Sequence, residues 1–231
     1  MRKKFDTTKR TIRPLFLFGI FTSVLFVNNP WAEAIERINA RAAPYSVADY
    51  YSNNYKKGWD YLMKADELST QKKDSNGCFD KALNYFKKEL NQEPTNVYLA
   101  YMVTYCQYAK VNDVDVDDKK QVEQCLLDAI EIADKYYKQF KEEDFLDLKV
   151  CSFRDLGDYF YRIEKSQENF EKAEYYYGKC LLIYYDNKTV LDSFFKKYPE
   201  RIKEVEKRLK EIRNMLKDYN LKYYKHSTPD T

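Results

Sequence analysis

The sequence predicts an all-α protein built from stacked helix pairs and closed by one long C-terminal helix. Three observations lead there. First, Phe79-Asp80-Lys81-Ala82-Leu83-Asn84-Tyr85-Phe86 recurs 91 positions later as Phe170-Glu171-Lys172-Ala173-Glu174-Tyr175-Tyr176-Tyr177. At helical spacing each copy makes an aromatic stripe with a small Ala at its centre, where a second helix can approach closely. A phrase of this length used twice marks a repeated structural unit. Second, only four Gly and four Pro follow residue 34, so helices can run with few interruptions. Third, Ile202, Val205, Leu209, Ile212, Leu216, Tyr219 and Tyr223 step by 3 and 4 in turn, a narrow apolar seam at heptad spacing.

Composition narrows the function. With 231 residues the chain is long enough for one buried core, and 17% aromatic content argues against disorder. The formal charge of +3 is carried by the N-terminus: residues 1–34 hold six Lys/Arg and two Asp/Glu, and the remainder is −1. No surplus of basic side chains is left to bind nucleic acid.

The first 34 residues read as an address. Arg2, Lys3, Lys4, Lys9, Arg10 and Arg13 precede a 13-residue apolar run from Leu15 to Val27; Asn28-Asn29-Pro30 breaks it, and Ala32-Glu33-Ala34 supplies a small-x-small cleavage pattern. This is the layout of a secretory signal peptide (1–34), bacterial in style, which sends the protein to the periplasm or the outside. The apolar run is short of the ~20 residues that a spanning helix needs. An uncleaved N-terminal anchor is the alternative, and any membrane contact is expected only there.

Residues 35–45 form a lead-in that Pro44 stops. A helical domain is expected over 46–198. Its first helix should start at a Ser46 or Asp49 cap and run to about Leu68, with Tyr51, Tyr55, Trp59, Leu62 and Met63 on one side. Ser69 to Gly77 reads as a loop. The first copy of the phrase opens a helix ending near Glu93, before Pro94. Val97 to Lys110 follows, with Leu99, Met102, Val103 and Cys106 at core spacing. Val111 to Asp118 is an acidic loop. Gln121 to Phe140 keeps a 3.6-residue rhythm through Val122, Cys125, Leu126, Ala129, Ala133, Tyr136 and Phe140. Phe145 to Ile163 carries Phe153, Leu156, Gly157 and Phe160, and the second copy starts after Ser166. A single helix over 199–225 precedes a short tail, 226–231; Pro199 suits its first turn and Glu200 its dipole.

These residues resemble the tetratricopeptide repeat family, whose helix pairs follow W-x2-L-G-x2-Y…A-x3-F…P over ~34 residues. Leu156, Gly157 and Phe160 sit in the first-helix places of a third unit, and Ala173 and Tyr177 in the second-helix places. Trp59, Leu62, Ala82, Phe86 and Pro94 fit a first unit. The middle unit is degenerate, with Cys125 in place of Ala and Ala129 in place of the aromatic. Equivalent positions Phe79, Val122 and Phe170 lie 43 and 48 apart, longer than the family's step. The resemblance covers about 46–185 and implies a right-handed α-solenoid of about three tetratricopeptide-like helix pairs, with the last helix as a cap. A generic helix-pair solenoid is the alternative for the fold. For the last helix the alternative is a coiled-coil or self-associating element over 199–224.

Chemistry is sparse. The single His, His226, lies in the polar tail, which removes the usual general base and the commonest metal ligand. No Cys-x2-Cys pair supports a zinc site, and no glycine-rich phosphate loop is present. Asp113, Asp115 and Asp117 begin like a calcium loop. However, Asp118 replaces the turn glycine and Gln124 the closing acid, so the stretch reads as an acidic loop capping the next helix. Neither a cofactor nor a metal is expected. Five Cys (78, 106, 125, 151 and 180) are expected as buried free thiols, a Cys106–Cys125 bridge being the alternative.

The resemblance places a concave groove on the first helices of the pairs. Arg154, Asp158, Tyr161 and Arg162 would line it in the third unit, and Ala100, Thr104, Gln107 and Tyr108 in the second. Arg forks onto carboxylates and Tyr gives rigid contact area, which suits a protein or peptide partner. An ordinary charged helix face is the plainer reading. Function is thus expected to be an exported protein-binding scaffold without catalysis; a membrane-anchored, self-associating envelope subunit and a helical carbohydrate-active enzyme are the alternatives.

Overall fold

A computed structural model describes residues 52–71, 77–195 and 199–227, and these are all-α, with no strand among them. The helices are α1 (Asn53–Thr70), α2 (Cys78–Gln92), α3 (Val97–Ala109), α4 (Lys119–Phe140), α5 (Glu143–Ile163), α6 (Gln167–Asp186), α7 (Lys188–Phe195) and α8 (Pro199–Ser227), with a 3-10 turn at Lys110–Asp113 between α3 and α4. The leader (1–34), the lead-in, Ser46, Asp49 and the end of the tail lie outside the described residues.

Four helix starts are set by short polar side chains that satisfy otherwise orphaned amides, while Gly77 and Glu142 precede α2 and α5 without such a bond. The Ser52 hydroxyl accepts the Tyr55 N–H at 3.2 Å, Asn96 that of Leu99 at 3.1 Å, Asp118 that of Gln121 at 3.0 Å and Ser166 that of Asn169 at 3.3 Å. The first helix therefore begins at Asn53, later than a Ser46 or Asp49 cap would give. Asp118 in this role turns the acidic loop into a cap. At the other end of α4, Lys141 takes the left-handed conformation (φ 62°) and returns its N–H to the Tyr137 carbonyl at 2.9 Å.

Each helix from α1 to α6 packs chiefly on its neighbours in the chain; α3 also touches α5, and α8 folds back along α6. The repeated phrase occupies equivalent places in both copies. Phe79 and Phe170, Ala82 and Ala173, and Phe86 and Tyr177 are all buried, each ring or Ala against the core. Facing them, two glycines make matching close approaches. A Cβ on Gly58 would stand 3.0 Å from the Phe86 ring, and one on Gly157 would stand 2.5 Å from the Tyr177 ring. Aligning Gly58 with Gly157 pairs Tyr61 with the aromatic Phe160 and takes Leu62 out of the place equivalent to Leu156. That shifts the first unit's opening by a few residues from the Trp59–Leu62 register.

Two further features differ from the sequence expectation. Met63 is 59% exposed, because the core stripe of α1 runs through Tyr55, Gly58, Leu62 and Ala65 and leaves Met63 beyond its edge. The short helix α7 is a turn of structure that no periodicity announced. The cysteines follow the expectation: all five are buried and outside any disulfide, so Cys106 and Cys125 are not bridged. The heptad seam of α8 is buried from Ile202 to Leu216, with Tyr219 half-buried against the same core. That seam is spent inside the molecule, on α6, rather than left for a coiled coil.

Candidate functional site

The eight residues expected to line an open groove come together, but as an interior seam. On α3 every residue from Leu99 to Ala109 is buried, so Ala100, Thr104, Gln107 and Tyr108 have no solvent face. Its run Val97–Ala109 has no charged side chain, and a helix apolar on all sides belongs in the interior. Thr104 turns its hydroxyl back to the Ala100 carbonyl at 2.8 Å, and the Gln107 carbonyl accepts the Cys125 thiol at 3.7 Å. Tyr108 donates its hydroxyl across to the Asp155 carboxylate on α5.

The corresponding face of α5 carries the charge. Arg154 is buried and lies on its neighbour Asp155 through Nε at 2.9 Å and Nη2 at 2.7 Å, rather than reaching into solvent. Burial opposes the Arg154 charge, but the Asp155 carboxylate outweighs it and holds the guanidinium firmly protonated. One turn on, Asp158 accepts the Tyr177 hydroxyl at 2.5 Å and the Arg208 guanidinium, with Arg162 at 3.8 Å. Burial and then the Asp158 charge push the Tyr177 hydroxyl well above its ordinary value.

The cover is α8. Glu211 on it accepts the Tyr161 hydroxyl at 3.0 Å, Arg213 meets Glu174 at 2.8 Å, and the Tyr219 hydroxyl reaches the Lys165 carbonyl at 3.1 Å. Glu204 steadies Arg208 from the next turn at 2.9 Å. Thus Asp158, Tyr161 and Arg162 are closed over by the chain's own last helix. Sequence reasoning did not single out Asp155, Arg208 or Glu211, and it took Tyr177 as a packing aromatic of the repeat rather than as a partner of Asp158. Only one had a local signal: Arg208 sits at the edge of the α8 apolar seam, between Val205 and Ile212, where a cation meets a neighbouring helix.

The seam has no activated nucleophile. Burial drives the thiols upward, Cys125 to about 12 and Cys151 to about 11, with Cys180 higher still. Such thiols pack as small hydrophobes and do not react. Burial, followed by the charges of Asp144 and Asp147, likewise raises the Tyr101 hydroxyl. No group of three His, Cys, Asp or Glu fit to hold a metal ion occurs among the described residues. What this arrangement does well is hold α5, α6 and α8 together through paired charges and tie α3 to α5 through the Tyr108–Asp155 hydrogen bond. Comparison of the chain with protein-family models, curated proteins and solved structures gives no match.

Proposed function

We propose that this chain is an exported, non-catalytic scaffold of tetratricopeptide type: a right-handed solenoid of about three helix pairs, capped by α8, that binds a protein partner in the periplasm or outside the cell. The observation that carries the reading is the recurrence of one packing device. Gly58 against Phe86 and Gly157 against Tyr177 join a first helix to a second helix at equivalent places in the first and third pairs. Stacks of such pairs bury a continuous core and present extended surfaces to proteins. The inert, desolvated thiols and the fully paired seam charges support a binding role over a catalytic one. The basic, apolar and small-residue succession of 1–34 supports export.

The test has two arms. The mature N-terminus of protein recovered from cell fractions should begin at Ile35 and be found outside the cytoplasm. The full chain should then retain a protein from envelope extracts that, remade pure, binds it in a 1:1 titration by calorimetry. A cytoplasmic protein with an intact leader overturns export. A chain that hydrolyses a glycan substrate and retains no protein overturns the scaffold reading.

A further inference from the structure

The third helix pair contains an interface that the first pair reproduces with no occupant among the described residues. On the side of α5 and α6 that α4 covers, Phe160 stacks on Tyr176 with ring centres 5.8 Å apart and planes at 19°. Lys172 Nζ lies 4.7 Å over the Phe160 ring. Onto this platform the preceding helix α4 sets one carboxylate: Glu123 accepts Lys172 Nζ at 2.8 Å and the Tyr176 hydroxyl at 2.5 Å. A stacked aromatic pair, a lysine over it and a phenol beside it thus form a socket for a helix-borne glutamate.

The outer face of α1 and α2 repeats the socket. Tyr61 stacks on Tyr85 at 5.8 Å and 10°. Lys81 lies 5.4 Å over the Tyr61 ring, as Lys172 lies over Phe160. Lys57 and Lys88 approach the Tyr85 ring at 5.8 and 5.4 Å. The sequence behind it is a shared spacing, Lys-x3-Tyr-x2-Lys, read as Lys81, Tyr85, Lys88 on α2 and as Lys172, Tyr176, Lys179 on α6. It occurs again on α1 as Lys57, Tyr61, Lys64, so the two helices of the first pair face each other with the same motif. At steps of 3 and 4 these residues share one helix side. Lys57, Lys81 and Lys88 are exposed, and none has a carboxylate partner among the described residues. The nearby acid Asp80 is already engaged by Lys110 at 2.7 Å.

We propose that this face, centred on Lys81, Tyr61 and Tyr85, docks an acidic helix of a protein partner and takes one of its glutamates between the Lys81 ammonium and the Tyr85 hydroxyl. Glu123 on α4 is the internal example of the ligand: a glutamate on a helix, followed one turn later by an apolar residue, Leu127, that packs against the core. The lysines steer the acidic helix and a charge-assisted bond to the phenol fixes its register. This rests on the protein-binding reading but assigns a surface other than the α3–α5 seam.

The experiment uses the full chain and a synthetic peptide with the α4 sequence, residues 119–140, titrated by calorimetry. Two matched changes test the socket: Lys81→Glu in the protein and Glu123→Lys in the peptide. Each single change should weaken binding about tenfold or more, and the two together should restore it to within about threefold, since the charge pair is re-formed in reverse. Lys81 is exposed, so circular dichroism of Lys81→Glu should match the unaltered protein. Absence of binding by the unaltered pair, or equal binding by all four combinations, overturns the proposal. A natural partner that binds Lys81→Glu at full strength also overturns it, while leaving the protein-binding reading in place.

Discussion

Replacing Gly157 by Ala places a methyl group where the structure has no room for one. Its Cβ would stand 2.5, 2.6 and 2.8 Å from three atoms of the Tyr177 ring. Ordinary contact needs about 1 Å more, so the ring has to move. It is not free to do so, because its hydroxyl is held by Asp158 at 2.5 Å and the Arg208 guanidinium shares that carboxylate. Overpacking of this kind costs about 1–3 kcal/mol. Straining a buried hydrogen bond adds about 1–2 kcal/mol. Against these, Ala is about 1 kcal/mol better than Gly within a helix. The net expectation is a loss of about 1–4 kcal/mol, or a fall in Tm of about 2–16 °C for a domain of this size. Two other glycines calibrate the number. At Gly58 the Cβ would meet the Phe86 ring at 3.0–3.1 Å, and that ring has no hydroxyl to pin it, so strain and helix propensity nearly cancel. At Gly178 nothing lies within 4 Å, and Ala should stabilise by about 0.5–1 kcal/mol. Urea unfolding of the three variants, followed by circular dichroism, should rank Gly178→Ala above Gly58→Ala above Gly157→Ala. The argument fails if Gly157→Ala is as stable as Gly58→Ala, or if Tyr177→Phe does nothing to soften the Gly157→Ala penalty.

Asp158→Asn should cost about 2–4 kcal/mol, since it strips the charge partner from a largely buried Arg208; faster amide exchange along α8 is the accompanying sign, and unchanged exchange there would refute the clasp. Thiol titration with an aromatic disulfide reagent should find no fast-reacting group in the folded protein and five after denaturation, because every cysteine is buried and reduced. Asp134 is bonded by Lys138 and Lys149, which hold its carboxyl below the usual range. A depressed folded value means that its contribution is complete at neutral pH and is lost as the pH falls below about 4. Asp134→Asn should therefore be less stable than the unaltered protein at pH 7 and converge with it near pH 3; a gap that persists into acid would refute the assignment.

The core of this fold was legible because its signals are local. Phe79, Ala82 and Phe86 say in eight residues which face of a helix goes inward, and the copy at Phe170, Ala173 and Tyr177 says it again. Caps such as Asn96, Asp118 and Ser166 stand immediately before the helices that they start. The seam was legible only in part. For α3 the information was present: a helix with no charge between Val97 and Ala109 has no side to offer water, and taking Gln107 and Tyr108 as an outward face overlooked it. For α5 it was not. Arg154, Asp155 and Asp158 read as a solvated stripe until Tyr108, Tyr177 and Arg208 are brought beside them, and those partners lie tens of residues away. The Lys-x3-Tyr-x2-Lys spacing was equally in view, but its meaning needed Glu123 in three dimensions.

The way the helices join their chain neighbours, with α8 turning back at the end, has a consequence for how the protein is made. Tyr108 to Asp155, Arg208 to Asp158 and Tyr219 to Lys165 span only 47, 50 and 54 positions. Contacts this short in sequence close quickly and in the order in which the chain arrives. A polypeptide emerging N-terminus first from a ribosome can thus set each helix on the one before it as it arrives. The exception is the last step. Until residues beyond Pro199 have emerged, Asp158 and Tyr177 lack the guanidinium that completes them and the apolar side of α6 stays wet. A chain that stops before Pro199 therefore keeps that edge open to proteolysis, and α8 is the element that closes it.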